Sequence, residues 1–312
     1  MEYKRVGKSG LQVSVVGIGC NNFGMRIDKD ATKAVVDKAI EVGITLFDTA
    51  DVYGGTKSEE FLGEALGDRR KDIVLATKFG YPTGSGVYSK GGSRRRIFDA
   101  CEASLRRLQT DYIDLYQYHT PDPLTPMEET LDALDDLVRQ GKVRYIGNSN
   151  LSGWQITEAE WIARSSNRSR FVSAQNEYSL INRAIEKELV PACEQYGLGI
   201  LPYFPLASGL LTGKYQRGEA PASDTRLAAW GPRGERMMSD ENFDIVEKLD
   251  SFAKDRGKSL LDLAFSWLAT KDYIPSVIAG ATKPEQVAAN AAAAEWKLTP
   301  EEMAEVDEFT KR

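Results

Sequence analysis

Four side chains able to do acid–base chemistry stand at or just after the ends of short apolar runs. Asp48 closes Thr45-Leu46-Phe47-Asp48, and Tyr53 follows in the loop Asp51-Val52-Tyr53-Gly54-Gly55. Lys78 follows Ile73-Val74-Leu75-Ala76-Thr77, and His119, the only histidine of the chain, follows Asp114-Leu115-Tyr116-Gln117-Tyr118. A phenol of reference pKa near 10 donates a proton poorly at neutral pH. A neighbouring ammonium favours the phenolate and lowers that pKa, each unit being worth about 1.4 kcal/mol. Lys78 is the residue to do this for Tyr53, Asp48 to hold Lys78 in place and protonated, and His119 to hydrogen-bond a carbonyl oxygen or relay its proton. The outcome is a tuned acid aimed at an oxyanion. Hydride reduction of a carbonyl creates such an oxyanion, and hydride needs a cofactor. Singly, each residue has an ordinary reading as a solvated lysine, a turn-forming aspartate or a half-buried tyrosine. Jointly, ionisable groups at the ends of three successive strands would be gathered without partners, which is costly.

Only a repeating scaffold brings such distant residues together. Eight β-branched or apolar runs are readable as strands, at 15–19, 45–48, 73–77, 114–118, 143–147, 173–176, 199–203 and 276–280. Between them, Ile97, Cys101, Leu105 and Leu108, then Met127, Leu131, Leu134 and Val138, then Ile185, Leu189, Ala192 and Tyr196 keep a helical rhythm. Thr125-Pro126-Met127-Glu128 and Thr299-Pro300-Glu301-Glu302 each predict an N-cap threonine, an N1 proline and an N3 glutamate. Strand–helix alternation with eight units predicts a parallel sheet closed into a (β/α)8 barrel, whose catalytic groups meet at the C-terminal ends of the strands. One domain, 1–312, then accounts for the chain. The rival doubly wound sheet lacks its signature, because no G-x-G-x-x-G occurs; Gly17-Ile18-Gly19-Cys20-Asn21-Asn22 is the nearest approach. Two departures from the regular spacing, the glycine-rich stretch Thr83–Gly92 and the stretch Pro205–Ser239, read as long loops. Phe23, Tyr81, Tyr88 and Trp230 are candidates to wall a substrate pocket, with core or surface roles equally open.

Composition excludes several functions. Lys and Arg total 40 against 46 Asp and Glu, a net charge of −6, which argues against nucleic-acid or acidic-membrane partners. Hydrophobic residues at 42% and charged residues at 28% are ordinary for a globular chain, so extensive disorder is not expected. One histidine and three cysteines, Cys20, Cys101 and Cys193, without CxxC or CxxH spacing, predict no metal site and no disulfide framework. Sparse cysteines, and no apolar signal segment after Met1-Glu2-Tyr3-Lys4-Arg5, lead to the expectation of a cytoplasmic protein. The stretch between Glu194 and Lys214 carries no charge, but its prolines and glycines suit a strand entering a loop better than a membrane span.

Phe47-Asp48-Thr49-Ala50-Asp51-Val52-Tyr53-Gly54, Ala76-Thr77-Lys78-Phe79-Gly80 and Leu115-Tyr116-Gln117-Tyr118-His119-Thr120-Pro121-Asp122 resemble the signature segments of the aldo-keto reductases. The resemblance runs from about Lys4 to the C-terminus. It implies a (β/α)8 TIM barrel with a short N-terminal β-hairpin and extra C-terminal helices. It also implies that Asp48, Tyr53, Lys78 and His119 are the family's catalytic tetrad, reducing aldehydes or ketones with NADP(H), NAD(H) being the second choice. Cofactor contacts carried over by the resemblance begin with Gly19, Cys20 and Asp48. Ser149, Asn150 and Gln175 would meet the nicotinamide carboxamide, Tyr203 would stack on the ring, and Pro205, Leu206, Ser208 and Lys214 would embrace the pyrophosphate. Gly280, Thr282, Lys283, Gln286 and Asn290 resemble the adenosine-phosphate segment, and Arg226, in Asp224-Thr225-Arg226-Leu227, joins Thr282 and Lys283 as a contact for the 2′-phosphate. Many relatives carry an arginine near Lys283, where a lysine is a point charge rather than a bidentate fork. The expected partner is a small-molecule carbonyl substrate, with no nucleic acid and no membrane; the oligomeric state stays open. Two other readings remain: a slowly turning cofactor-binding regulatory subunit resembling potassium-channel β subunits, and a barrel aldolase using Lys78 as a Schiff-base amine.

Overall fold

A computed structural model of the chain describes residues 1–223 and 225–311. Asp224, quoted above with Arg226, lies outside them. The strands are β1 (Tyr3–Arg5), β2 (Gln12–Ser14), β3 (Val16–Gly19), β4 (Leu46–Asp48), β5 (Val74–Phe79), β6 (Ile113–Tyr118), β7 (Val143–Ser149), β8 (Phe171–Gln175), β9 (Gly199–Ile200) and β10 (Val277–Gly280). The helices are α1 (Lys29–Glu41), α2 (Lys57–Leu66), α3 (Arg94–Leu108), α4 (Met127–Arg139), α5 (Gly153–Ser165), α6 (Leu189–Tyr196), α7 (Arg226–Ala229), α8 (Pro232–Met237), α9 (Asp240–Lys254), α10 (Leu260–Ala269), α11 (Pro284–Ala293) and α12 (Pro300–Phe309). β3 to β10 form one eight-stranded parallel sheet in the order β10-β3-β4-β5-β6-β7-β8-β9. Its edges meet where Ile200 N donates to Tyr273 O at 2.7 Å and Ile278 N to Pro202 O at 3.3 Å. The expected (β/α)8 barrel is therefore present, with all eight anticipated strands. The seventh is shorter than expected because Pro202 has no N–H to extend the ladder.

Alternation of side chains along each strand decides what the barrel holds. Leu46, Ala76, Leu115, Leu201 and Ile278 point inward and pack with Val6, Leu11 and Val13 of the antiparallel β1–β2 hairpin, which plugs the N-terminal end. Each buried aliphatic side chain there is worth roughly 1.5–3 kcal/mol. The intervening Phe47, Leu75, Phe79 and Tyr116 point outward and meet Leu62, Ile97, Leu105 and Leu134 of the helix layer. Two residues beyond the inward Leu46, Ala76 and Leu115, the same face carries Asp48, Lys78 and Gln117, so the polar layer lies on top of the apolar one.

Three local expectations need correction. The face from Ile185 to Tyr196 is split: 184–187 is a 3-10 turn and α6 begins at Leu189, with Glu188 at φ −136° breaking the helix. α4 starts one residue later than expected, with Pro126 as N-cap, because the Thr125 hydroxyl is drawn to Asp122 Oδ2 at 2.7 Å. The stretch 205–239 is not plain loop, since it folds into a 3-10 turn and the short helices α7 and α8, which are too brief to leave a periodic signature. The second cap is as expected, with Thr299 and Glu302 forming a reciprocal capping box on α12. Thr299→Ala is expected to cost about 1 kcal/mol in chemical denaturation without changing the unfolding slope. Among the described residues no helix is long and apolar enough to cross a membrane.

Candidate active site

Lys78 is the hinge of the site. Fully buried at the end of β5, its ammonium donates to Asp48 Oδ2 at 2.6 Å and to Thr49 O at 2.8 Å, and lies 3.4 Å from the Tyr53 hydroxyl. Those three contacts use all three of its donors. Asp48 is held from the other side, where Oδ1 accepts from Gln117 Nε2 at 2.9 Å and from Gln175 Nε2 at 3.0 Å. Its desolvated charge is thus paired and hydrogen-bonded, the condition under which a buried carboxylate is tolerated. Tyr53 opens a 3-10 turn whose next residues, Gly54 and Gly55, have φ of 59° and 63°. At Gly54 a Cβ would also come within 2.7 Å of Phe23 O, so only glycine lets the phenol loop pack against the β3 loop. His119 follows β6 and meets the Tyr53 ring edge-on at 5.8 Å and the Tyr81 ring at 4.5 Å.

Burial sets the proton affinities. It raises the Tyr53 phenol above 10, and Lys78 offsets this only in part; the lysine was expected to lower it outright. The difference has a physical source, since a phenolate loses solvation here beyond what one ammonium restores. Tyr53 is therefore protonated at neutral pH. Burial also opposes the charge of Lys78, but Asp48 and then Tyr53 more than compensate, so the ammonium persists above its ordinary 10.5. An ammonium held by Asp48 and Thr49, with its proton affinity raised, is poorly suited to act as a Schiff-base nucleophile, so the geometry favours the reductase reading over the aldolase one. Desolvation, then Lys78, drives His119 well below 6.5, leaving a neutral imidazole. Its Nδ1 is enclosed with no partner among the described residues, so a proton there would be orphaned. The neutral tautomer then carries the proton on Nε2, and His119 lines the cavity.

A cavity of about 630 Å³ opens above these residues, within the range of small-molecule and cofactor sites. Asp48, Tyr53 and His119 line its floor, and Lys78 sits behind them. Of the residues singled out for a cofactor, Gly19, Ser149, Asn150, Gln175, Tyr203, Pro205, Leu206, Ser208, Lys214, Arg226, Gly280, Thr282, Gln286 and Asn290 line the wall. Cys20 does not line it: its thiol is buried and directed at Ile18 O. Nor does Lys283, an exposed residue capping α11. One wall is internally braced, with Tyr203 OH donating to Asn150 Oδ1 at 2.9 Å and Asn150 Nδ2 to His119 O at 2.9 Å. Phe204, Ala207 and Ser208 hold φ of 53°, 45° and 58°, a strained path of the kind found at ligand clamps. Lys214 and Arg226 line the cavity without a carboxylate ion-pair partner among the described residues, so the site fits an anionic group.

Sequence reasoning missed Asn21, Asn22 and Arg26, which also line the cavity together with Phe204 of the run from Tyr203 to Lys214. Asn22 accepts from Arg226 Nη2 at 3.4 Å. Gln117 was missed as well, although its place between inward Leu115 and His119 is visible in the period-two pattern. Among the aromatic candidates only Tyr81 lines the cavity; Phe23 is fully buried core, Tyr88 is exposed under Arg95, and Trp230 backs Phe204 at 5.4 Å. Among the described residues no cluster of three or more His, Cys, Asp or Glu could hold a metal ion.

Comparison with known proteins agrees with this geometry. A probable voltage-gated potassium channel subunit beta of Oryza sativa subsp. japonica is 39% identical, covering 96% of this chain and 94% of its own. An L-glyceraldehyde 3-phosphate reductase of Escherichia coli (strain K12) is 34% identical over 99% of this chain and 92% of its own, and an uncharacterized oxidoreductase of Bacillus subtilis (strain 168) is 35% identical over 96% and 93%. The model of the aldo/keto reductase family matches residues 15–311, from β3 to the end of the described chain. With that match and these relatives added to the barrel and to the cluster of Asp48, Tyr53, Lys78 and His119, the chain belongs to the aldo/keto reductase family.

Proposed function

We propose that this protein is an NADP(H)-dependent oxidoreductase that reduces aldehyde or ketone groups of a small molecule to alcohols in the cytoplasm, with Tyr53 as the general acid. The observation that carries the reading is the Tyr53 hydroxyl at the cavity floor, 3.4 Å from an ammonium that Asp48 keeps charged. When bound, the nicotinamide supplies a hydride to the carbonyl carbon. Neutral His119 hydrogen-bonds the carbonyl oxygen through Nε2 and orients it toward Tyr53. As negative charge grows on that oxygen, the phenol donates its proton, and Lys78 stabilises the phenolate left behind without having to reorganise. Tyr203 provides an aromatic face for the ring, and the strained turn at 204–208 together with Lys214 and Arg226 would hold the phosphates.

The supporting test is NADPH and NADH oxidation against aldehydes, ketones and sugars. A phosphorylated short-chain aldehyde belongs in the panel because one relative is named as a reductase of such a compound. Turnover with NADPH supports the reading, and binding of NADPH with no turnover on any substrate overturns it. Lys214→Met is expected to weaken NADPH binding about 10-fold or more, the size of one lost charge-assisted hydrogen bond. Titration of cofactor fluorescence at two salt concentrations would show both the loss and a shallower salt dependence than wild type.

Channel-subunit relatives at 39% and 38% identity favour one second reading, a regulatory subunit that binds NADPH tightly and turns over slowly. Pull-down and size-exclusion profiles separate it from the first, because a regulatory subunit would assemble with a partner.

A further inference from the structure

Behind the phenol loop, in the layer between strands and helices, lies an ion pair that the proposed chemistry does not use. Asp51 and Arg96 are both buried, with Nη2 and Oδ2 2.5 Å apart. Asp51 sits between Asp48 and Tyr53, and its N–H donates to Lys78 O at 3.1 Å. Arg96 is the third residue of α3, directly after the loop that begins at Tyr81, whose ring packs on His119 at 4.5 Å. One ion pair thus joins the loop of the phenol, the strand of the ammonium and the helix that ends the loop against the imidazole.

Stability does not account for its construction. Asp51 Oδ1, Arg96 Nε and the neighbouring Tyr116 hydroxyl are buried with no hydrogen-bond partner among the described residues. Such a half-satisfied network is commonly less stable than apolar packing of the same volume. Arg96 also puts a cation in the first turn of a helix, where the macrodipole opposes it. The other charged groups facing Asp51 are Glu59 of α2 and Arg107 of α3, already paired with each other at 2.6 Å, and the Cys101 thiol of α3 lies beside Tyr116.

We propose that the Asp51–Arg96 pair is a positioning clamp for Tyr53, holding the phenol in reach of Lys78, so that its loss lowers turnover and spares cofactor affinity. This rests on the reading of Tyr53 as general acid. The clamp is engaged when Asp51 is ionised. Burial raises that carboxyl to about 7, with Arg96 pulling it back, so engagement changes across neutral pH. Two pH effects of opposite sign follow. Because the folded carboxyl holds its proton more tightly than the ordinary 3.8 of an unfolded one, the stability contributed by the site is full below about 4 and declines as pH rises through about 7. Turnover rises over the upper part of the same interval.

The experiment compares wild type with Asp51→Asn, Arg96→Met and Arg96→Lys, measuring kcat against pH, NADPH Kd and thermal stability. Asp51→Asn and Arg96→Met are expected to lose about 10- to 100-fold in kcat, the cost of a displaced catalytic group, with Kd changed less than about 3-fold. The rising limb of kcat between about pH 6 and 8 should disappear in Asp51→Asn, and Arg96→Lys, which keeps the charge, should recover part of the loss. Unchanged kcat per folded molecule, or a limb that persists in Asp51→Asn, overturns the clamp. Should Arg96→Met not fold, Arg96→Lys and the wild-type profile still decide: equal profiles in these two and no limb near neutral pH also overturn it. A wild type that reduces no carbonyl fails at an earlier step, overturning the proposed reduction and the clamp with it.

Discussion

Tyr53→Phe should lower kcat by about 10²- to 10⁴-fold, the range that a positioned general acid contributes. The substitution removes one oxygen from a half-buried ring that keeps its contact with His119, so the loop should hold its shape. Lys78 then loses its 3.4 Å neighbour but keeps Asp48 and Thr49, and it remains charged and paired. Cofactor affinity should accordingly change little, and the loss should fall on kcat and kcat/KM alike, as for an interaction made only in the transition state. Because the phenol of wild type is held above 10 by burial, its activity as a reductase should not fall until pH approaches that range. At lower pH any inflection in kcat has to come from another group.

A second large effect is expected at Lys78→Met, this time on stability as well as rate. The variant leaves the Asp48 carboxyl inside the barrel without its ammonium, facing only the two glutamine amides. Removing one partner of a buried pair typically costs about 3–5 kcal/mol, since the remaining charge is uncompensated. Chemical denaturation should show that loss as a lower midpoint at unchanged slope. The double variant Asp48→Asn with Lys78→Met should recover most of the stability, because a neutral amide can still bond Gln117 and Gln175. It should recover none of the rate, because the phenolate would have no counter-ion. Equal stability of the single and double variants would mean that the pair is not coupled as the 2.6 Å contact implies.

The reach of sequence reasoning followed the range of the interactions involved. Period-two alternation is local, so runs such as Leu46-Phe47-Asp48 and Ala76-Thr77-Lys78 already disclosed both strands and which residues crown them. The same rule would have added Gln117. What stayed hidden depended on contacts between remote segments. The Asp51–Arg96 pair spans 45 residues and joins the phenol loop to the first turn of α3, a pairing that no periodicity reports. Cys20 was a family carry-over rather than a contact of this kind: it stands next to the inward Gly19, and alternation turns its thiol into the outer core. Thr125 has the residues of an N-cap but spends its hydroxyl on Asp122, an outcome set by the turn before it. The helices at 226–229 and 232–237 hold one turn or little more, too few residues for an apolar stripe to repeat. Lys283 followed a family pattern rather than a physical one, and the cavity wall passes it by.

The most direct test of the central claim is a single-turnover measurement in which enzyme saturated with NADPH is mixed with a carbonyl substrate and the loss of reduced cofactor is followed for wild type and Tyr53→Phe. Wild type should oxidise NADPH stoichiometrically, with alcohol formed in equal amount, and the variant should react at least about 10²-fold more slowly at unchanged NADPH affinity. Equal single-turnover rates for the two proteins would contradict that claim.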